Sequence, residues 1–267
     1  MDPSHQLSAE YTSIAEAYAK HWAPVIGPMA QPVLGRMALA NVARILDLGS
    51  GTGVLIPALQ AAAPNAWLVG ADRAEGMLQI ARRTSDLACV VTDAQHLAFG
   101  SQAFDAALLA FVLFHVPDPS AALREVHRVL RPGGVAGTVT WGGDPGVPGL
   151  PIWKEELDRF GAAPDPRDAS VMQHDRMDTP DKLAALLQHA GLACEAAWSE
   201  EVEYRWTADA LFAVQTRCGV ASRRLPGLAE PERAACRQRV RERLATLGGE
   251  GLVYRPTVVY AVARRPH

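Results

Sequence analysis

The sequence is short of cysteine, lysine, long apolar runs and surplus charge of either sign, and each shortage excludes something. Its four cysteines, Cys89, Cys194, Cys218 and Cys236, stand far apart, with no CxxC pair and no histidine at zinc spacing. A disulfide framework needs a cysteine-denser chain and a structural zinc needs clustered ligands, so the thiols read as free in a reducing compartment. The longest apolar run, 106–114, is too short to cross a bilayer. The N-terminal stretch carries acids and polar residues where a secretory signal needs a basic start and an apolar centre. These absences predict a cytoplasmic protein with no membrane partner. With 26 basic and 29 acidic residues, a formal net charge of −3, the chain lacks the basic surface that nucleic-acid binding requires. Lysine occurs only at 20, 154 and 182, so nearly all basic charge is arginine, which reads as a coding bias.

What is present is the composition of a folded protein: 267 residues, 49% hydrophobic and 21% charged, ample for a sizeable core. Residues 8–22 place Tyr11, Ile14, Ala15, Tyr18 and Trp22 on one helical face. Pro24, Gly27, Pro28 and Pro32 break that pattern, and a second helix is expected over 32–41. Strand and helix then alternate. Runs at 44–48, 67–71, 89–92, 104–111 and 135–141 read as strands, with helical patterns at 54–63, 75–83 and 120–130. Arg131-Pro132-Gly133-Gly134 reads as the turn that stops the last of these helices. The fourth run is the most apolar, as a central parallel strand buried on both faces should be.

Such alternation predicts an α/β fold, a doubly wound, mostly parallel seven-stranded Rossmann-like sheet. Residues 142–180, rich in glycine and proline around a helical piece at 153–160, read as an inserted lid. A helix at 180–190, a strand pattern at 192–206, helices at 208–218 and 231–247 and a last strand at 256–263 complete the chain. No repeat or low-complexity linker divides it. One domain over 1–267 is expected, with a helical cap at 1–40, a binding core at 41–141, the insertion, and the end of the sheet with added helices at 181–267.

The informative stretch is Ile45-Leu46-Asp47-Leu48-Gly49-Ser50-Gly51-Thr52-Gly53. Glycines that close a first strand let the backbone approach a ligand closely, where the next helix aims its N-terminus. A dinucleotide fingerprint, GxGxxG, would need glycine at 54, where Val54 stands. The spacing is GxGxG, with Asp47 two residues ahead of Gly49, which weakens a nicotinamide reading. Further stations follow: Gly70-Ala71-Asp72 with Gly76-Met77-Leu78, then Val91-Thr92-Asp93-Ala94. Phe104-Asp105 leads on to Phe114-His115-Val116-Pro117 and to the helix ending in Arg131-Pro132-Gly133-Gly134. In this order the motifs resemble class I S-adenosylmethionine-dependent methyltransferases, with the flavour of the ubiquinone- and menaquinone-biosynthesis-like small-molecule branch. The resemblance covers about residues 8–141 and, more loosely, 180–198.

It implies S-adenosylmethionine as cofactor and S-adenosylhomocysteine as its product. Asp72 would accept both ribose hydroxyls, 19 residues past Gly53 and so near the usual offset for an acidic ribose ligand. Asp93 would accept from the adenine amino group and the Ala94 amide would meet a ring nitrogen. Asp47 would hold the cationic amino-acid end, and the backbone of Gly49, Ser50, Gly51 and Gly53 would take its carboxylate. Tyr18 would close over the methionine moiety, and Arg73, Met77 and Phe111 would complete the site. The plainer readings stand beside these: a helix cap for Asp72 or Asp93, a packing stripe for Tyr18 and Trp22, a solvated face for the arginines of 217–243.

Methyl transfer from a sulfonium is a displacement that needs alignment and exclusion of water, and a base only where the nucleophile carries a proton. His115, after the fourth strand, is the leading candidate for that base, with a pocket-shaping histidine as the alternative role. His21 and His174 are secondary candidates. A magnesium site would need several carboxylates near the fourth strand, and Asp118 alone does not make one, so no metal is expected. The resemblance implies O- or C-methylation of a small secondary metabolite or quinone-like acceptor. The alternative is a cyclase or isomerase of the same fold that binds the cofactor without transferring methyl. A homodimer is compatible with everything read.

Overall fold

The computed structural model describes residues 2–143 and 146–267; Met1 of the expected cap and Asp144 and Pro145 of the expected insertion lie outside the described residues. Its strands are β1 (Arg44–Leu48), β2 (Trp67–Asp72), β3 (Ala88–Val91), β4 (Phe104–Ala110), β5 (Leu130–Trp141), β6 (Ala193–Glu201), β7 (Tyr204–Arg205), β8 (Val253–Tyr254) and β9 (Thr257–Arg264). Its helices are α1 (Pro3–His21), α2 (Ala23–Ala30), α3 (Ile56–Ala62), α4 (Glu75–Thr84), α5 (Pro119–Val129), α6 (Leu150–Arg159), α7 (Pro180–His189), α8 (Ala208–Arg217), α9 (Val220–Arg224) and α10 (Glu230–Ala245).

Seven strands form one sheet in the order β3-β2-β1-β4-β5-β9-β6, and β7 pairs with β8 in a separate ribbon. The first five strands are parallel, and β9 runs antiparallel to both β5 and β6. The α/β, mostly parallel seven-stranded architecture expected from the alternation is therefore the one present. Ala106 through Leu109 on β4 are wholly buried, as a strand covered on both faces must be. A continuous apolar core extends from Val25 to Ala263. The chain leaves β1 towards β2 and β3 on one side and returns to β4 on the other. The carboxyl ends of β1 and β4 therefore flank the reversal of strand order, where open α/β sheets bind ligands.

One local expectation is extended and two are corrected. The 8–22 helical pattern does stop before Pro24, with α1 closing at His21, but the following residues form the further helix α2, with Pro24 in its first turn, where its missing N–H costs nothing, and Pro28 inside it. The helix expected over 32–41 is instead two 3-10 turns, Gln31–Arg36 and Leu39–Asn41, separated at Ala38, whose φ is 51°. The Arg131–Gly134 stretch is not a free turn. Leu130 pairs with Phe104 and Val135 with Ala106, so it is an irregular strand segment within β5. The Gly133 amide donates to the Arg265 carbonyl at 2.8 Å and the Arg265 amide to Gly134 at 2.9 Å, which binds that segment to the chain end.

Candidate active site

The turn after β1 is built by hydrogen bonding to its neighbour. The Gly49 and Ser50 amides both donate to the Ala71 carbonyl, at 2.7 and 3.1 Å, and the Gly51 amide donates to Asp72 Oδ2 at 2.9 Å. Gly49 has φ 75° and Gly51 φ 54°, a region that side chains disfavour. At Gly49 a Cβ would also stand 2.6 Å from a Val112 methyl, whereas at Gly51 no atom lies within 4 Å of it. The first glycine is thus needed for packing. The second leaves an open cradle beside a cavity of about 150 Å³ at the carboxyl ends of β1, β2 and β4.

Three acids face this cavity. Asp47 on β1 is 3% exposed and its Oδ2 has no hydrogen-bond partner. Burial first, and then the nearby Asp72, push its carboxyl up to about 7. Asp72, at the tip of β2, accepts from Gly51 and, through Oδ1, from the Ala74 amide at 2.8 Å. Burial raises its pKa while those amides oppose the rise. Asp93 accepts from the Gln95 amide at 2.9 Å and pairs with Arg73 at 3.4 Å. Among the expected residues, Tyr18, Asp47, Gly49, Gly51, Asp72, Arg73, Met77, Asp93, Ala94, Phe111 and His115 all line the cavity. Ser50 and Gly53 do not: the Ser50 hydroxyl is buried over Gly70, and Gly53 packs on Ala81. Phe111 sits at φ 57° and stacks on Trp141 with ring centroids 4.3 Å apart. Strained backbone of this kind needs surroundings that over-determine it.

His115 closes the 3-10 turn Leu113–His115 after β4. Its Nδ1 lies 2.9 Å from the Val171 carbonyl and its Nε2 lies 3.0 Å from the Tyr11 hydroxyl. A carbonyl only accepts, so Nδ1 carries the proton, and in the neutral ring Nε2 accepts from Tyr11. Burial, with Arg167 and His174 nearby, lowers the imidazole to about 3 despite the Val171 bond, which keeps it neutral. The Tyr11 phenol is raised by burial, opposed by Arg167, whose guanidinium lies 5.5 Å from the Tyr11 ring. His174 stacks on Phe114 at 4.1 Å outside the cavity lining, and His21 ends α1 away from it. Sequence reasoning missed Tyr11 as a site residue, although it lies two helical turns before Tyr18 on the same face. It also missed Leu7, Ile26, Gln95 and Val112 in the lining. No cluster of three or more histidine, cysteine, aspartate or glutamate residues able to hold a metal ion occurs among the described residues. No helix among them is long and apolar enough to cross a membrane.

Residues 46–137 match the methyltransferase domain family. The chain is 39% identical over 137 residues to a demethylmenaquinone methyltransferase of Clavibacter sepedonicus, covering 48% of this chain and 55% of that protein. It is 34% identical over 154 residues to a ubiquinone biosynthesis O-methyltransferase of Ruegeria pomeroyi, covering 56% and 59%. The chain thus spans about half the length of the curated relatives it matches. Among solved structures it is similar to a SAM-dependent methyltransferase of Methanosarcina mazei, with TM-score 0.53 and 18% identity over 88% of this chain and 97% of that one. It is similar also to the cyclase SpnF, with TM-score 0.56 and 21% identity over 90% and 80%. These structural likenesses concern the fold. Sheet order, acid stations and structural likeness agree on the class I methyltransferase fold, and residues 46–137 match the methyltransferase domain family.

Proposed function

We propose that this chain is an S-adenosylmethionine-dependent methyltransferase that alkylates oxygen or carbon of a small, ring-bearing, quinone-like acceptor. The observation that carries the reading is the unpartnered Asp47 Oδ2, buried beside the open Gly51 cradle. A buried carboxylate oxygen without a donor costs free energy unless a ligand supplies one, and an ammonium group is the donor that suits it. The donor set fits the rest of the cofactor: Asp72 retains lone pairs for ribose hydroxyls, Asp93 and the Ala94 amide suit adenine, and the Gly51 backbone leaves room for a carboxylate. Arg73, Met77, Phe111 and Tyr18 form the walls, while Ser50 and Gly53 shape the turn from behind. The bound cofactor would supply a methyl group made electrophilic by its sulfonium.

The protein's part is to hold the acceptor, exclude water and manage one proton. Nε2 of His115 and the Tyr11 oxygen present the only imidazole–phenol pair lining the described cavity. Because burial keeps the imidazole neutral and lowers its basicity, an acceptor that is itself acidic suits this site. A phenol, enol or hydroquinone meets that need, and an aliphatic alcohol does not. The demethylmenaquinone and ubiquinone named for the relatives point to rings of this kind. Residues 1–267 act as one unit in this reading, in the cytoplasm, where the four free cysteines would stay reduced. Neither nucleic acid nor a membrane is needed as partner.

Calorimetric titration with S-adenosylhomocysteine is the first test, with one-to-one binding expected. A screen of phenols and hydroquinones by mass spectrometry then reads the product. A gain of one methyl with release of S-adenosylhomocysteine supports the reading. Cofactor binding with a rearranged product of unchanged mass would make the protein a cyclase or isomerase. Absence of binding by folded protein would remove the methyltransferase reading.

A further inference from the structure

The two groups that fix the His115 ring come from outside the sheet. Tyr11 belongs to α1, and Val171 to the segment between α6 and α7. Their separate placements decide which imidazole nitrogen carries the proton, so whatever holds them sets the chemistry of the ring. Two clasps do this, centred on Gln173 and Arg167, neither of which lines the cavity.

The first is Gln173. Its backbone amide donates to the Phe114 carbonyl at 2.9 Å. Its carboxamide nitrogen lies 2.9 Å from the Val116 and Pro117 carbonyls and 2.7 Å from that of Ser170. Residues 114–117 bracket His115, so Gln173 staples the segment bearing Val171 to the very turn that bears the imidazole. The second is Arg167. It grips Glu10 through Nε at 3.1 Å and Nη2 at 2.7 Å, and Glu10 precedes Tyr11. Arg223 braces the fork, reaching Glu10 at 3.2 Å and also pairing with Asp165. Arg167 and Arg223 are only 13% and 12% exposed. Paired charges withdrawn from water to this degree fix geometry when every partner is present.

We propose that Gln173 and Arg167 are positioning residues of the Tyr11–His115 pair: Gln173 keeps the Val171 carbonyl on Nδ1, and Arg167 keeps the Tyr11 hydroxyl on Nε2. The consequence is that the insertion presents Nε2 as the accepting nitrogen. Without the Val171 carbonyl either nitrogen of a neutral ring can hold the proton, and the accepting lone pair no longer has a fixed direction. No proton leaves the chain in this arrangement; the clasps only choose between two tautomers. The catalytic purpose rests on His115 being the proton acceptor of the proposed reaction.

The test reads the ring directly, without cofactor or acceptor. Long-range proton–nitrogen NMR of the histidine rings, with His115 assigned by its loss in His115→Gln, is expected to show a single species protonated at Nδ1 in the unaltered protein. Gln173→Ala, and Gln173→Glu as a variant of the same size that cannot donate to the three carbonyls, are expected to give mixed tautomers. Arg167→Met is expected to leave Nδ1 protonated while the Nε2 signal shifts as the Tyr11 bond is lost, with partial return in Arg167→Lys. A residue that merely stabilises the fold would lower the melting temperature and leave the tautomer untouched. An unchanged single tautomer in folded Gln173→Glu, or an unmoved Nε2 signal in folded Arg167→Met, overturns the assignment of that residue. With an acceptor in hand, kcat is expected to fall about a hundredfold in the Gln173 variants, with S-adenosylhomocysteine affinity unchanged. Tautomer changes in a protein that proves not to bind S-adenosylhomocysteine would keep the clasps and discard the methyltransferase reading.

Discussion

Asp47 ought to be a burden to the ligand-free protein. Its Oδ2 has no donor and it is 3% exposed, with burial and Asp72 lifting its carboxyl from 3.8 to about 7. A carboxyl whose folded value lies above its unfolded one makes the folded state bind the proton more tightly. Its contribution is therefore fully present below pH 3.8 and is lost as pH rises through about 7. That interval corresponds to about 4 kcal/mol in the fully ionised limit. Of this, about 2 kcal/mol falls between about pH 5.5 and about pH 8.

Asp47→Asn removes the titration while keeping the shape. Urea unfolding of both proteins at the two pH values is the assay. The stability of Asp47→Asn relative to the parent is expected to improve by about 2 kcal/mol on going from the acid to the alkaline condition. The comparison between pH values cancels whatever the new amide itself costs. Calorimetry with S-adenosylhomocysteine should move the other way, since the carboxylate that destabilises the empty fold is the one that would meet the ligand's ammonium. At about pH 6 binding to the parent protein should also release a proton, seen as a binding heat that depends on the buffer's ionisation enthalpy. A stability difference between parent and variant that does not change with pH would refute the reasoning, because it would mean that Asp47 is hydrated or partnered in solution.

Gly51→Ala meets no protein atom within 4 Å, so it should cost only the left-handed backbone strain, about 1–2 kcal/mol, while reducing S-adenosylhomocysteine affinity at least about tenfold by filling the cradle. Unfolding and titration on the same sample separate the two effects. Asp72→Ala removes the partner of the Gly51 and Ala74 amides and should weaken S-adenosylhomocysteine binding by about tenfold to a hundredfold, a charge-assisted hydrogen bond being involved; equal affinity would misplace the site. Tyr11→Phe removes the hydrogen bond to Nε2 and should lower kcat by about tenfold or more with little change in cofactor affinity, as steady-state kinetics with an identified acceptor would show.

The sheet was legible because its signals are local. An apolar run such as 104–111 and the glycine cluster at 49–53 state their structure within a few residues, and parallel topology follows from their alternation with helices. What was misread depended on neighbours further away. Pro24 and Pro28 are helix breakers by propensity, yet α2 forms because its apolar residues are packed into the core. Arg131–Gly134 has the composition of a turn, and becomes strand because Arg265, over a hundred residues later, supplies its hydrogen-bond partners.

The candidate site divides along the same line. Asp47 and Asp72 lie at the carboxyl ends of β1 and β2 and Asp93 two residues past β3, so a motif a few residues long suffices to locate them. The His115 half is assembled from distant segments: Tyr11 meets His115 across 104 residues and Arg167 meets Glu10 across 157. No spacing rule reaches that far, and Tyr11 and Gln173 carry no local signature to distinguish them from packing or loop residues. The division has a physical consequence for how such a protein can change. In the proposed function, substitutions at the strand ends would act on cofactor binding through groups the sheet holds rigidly. Substitutions in α1 or the insertion alter the surroundings of His115 while leaving the acids in place. Acceptor chemistry could therefore vary through the segment between α6 and α7, and through α1 positions other than Tyr18, with the three acids left in place. That is why the parts of this sequence that were hardest to read are the parts that would decide what it acts on.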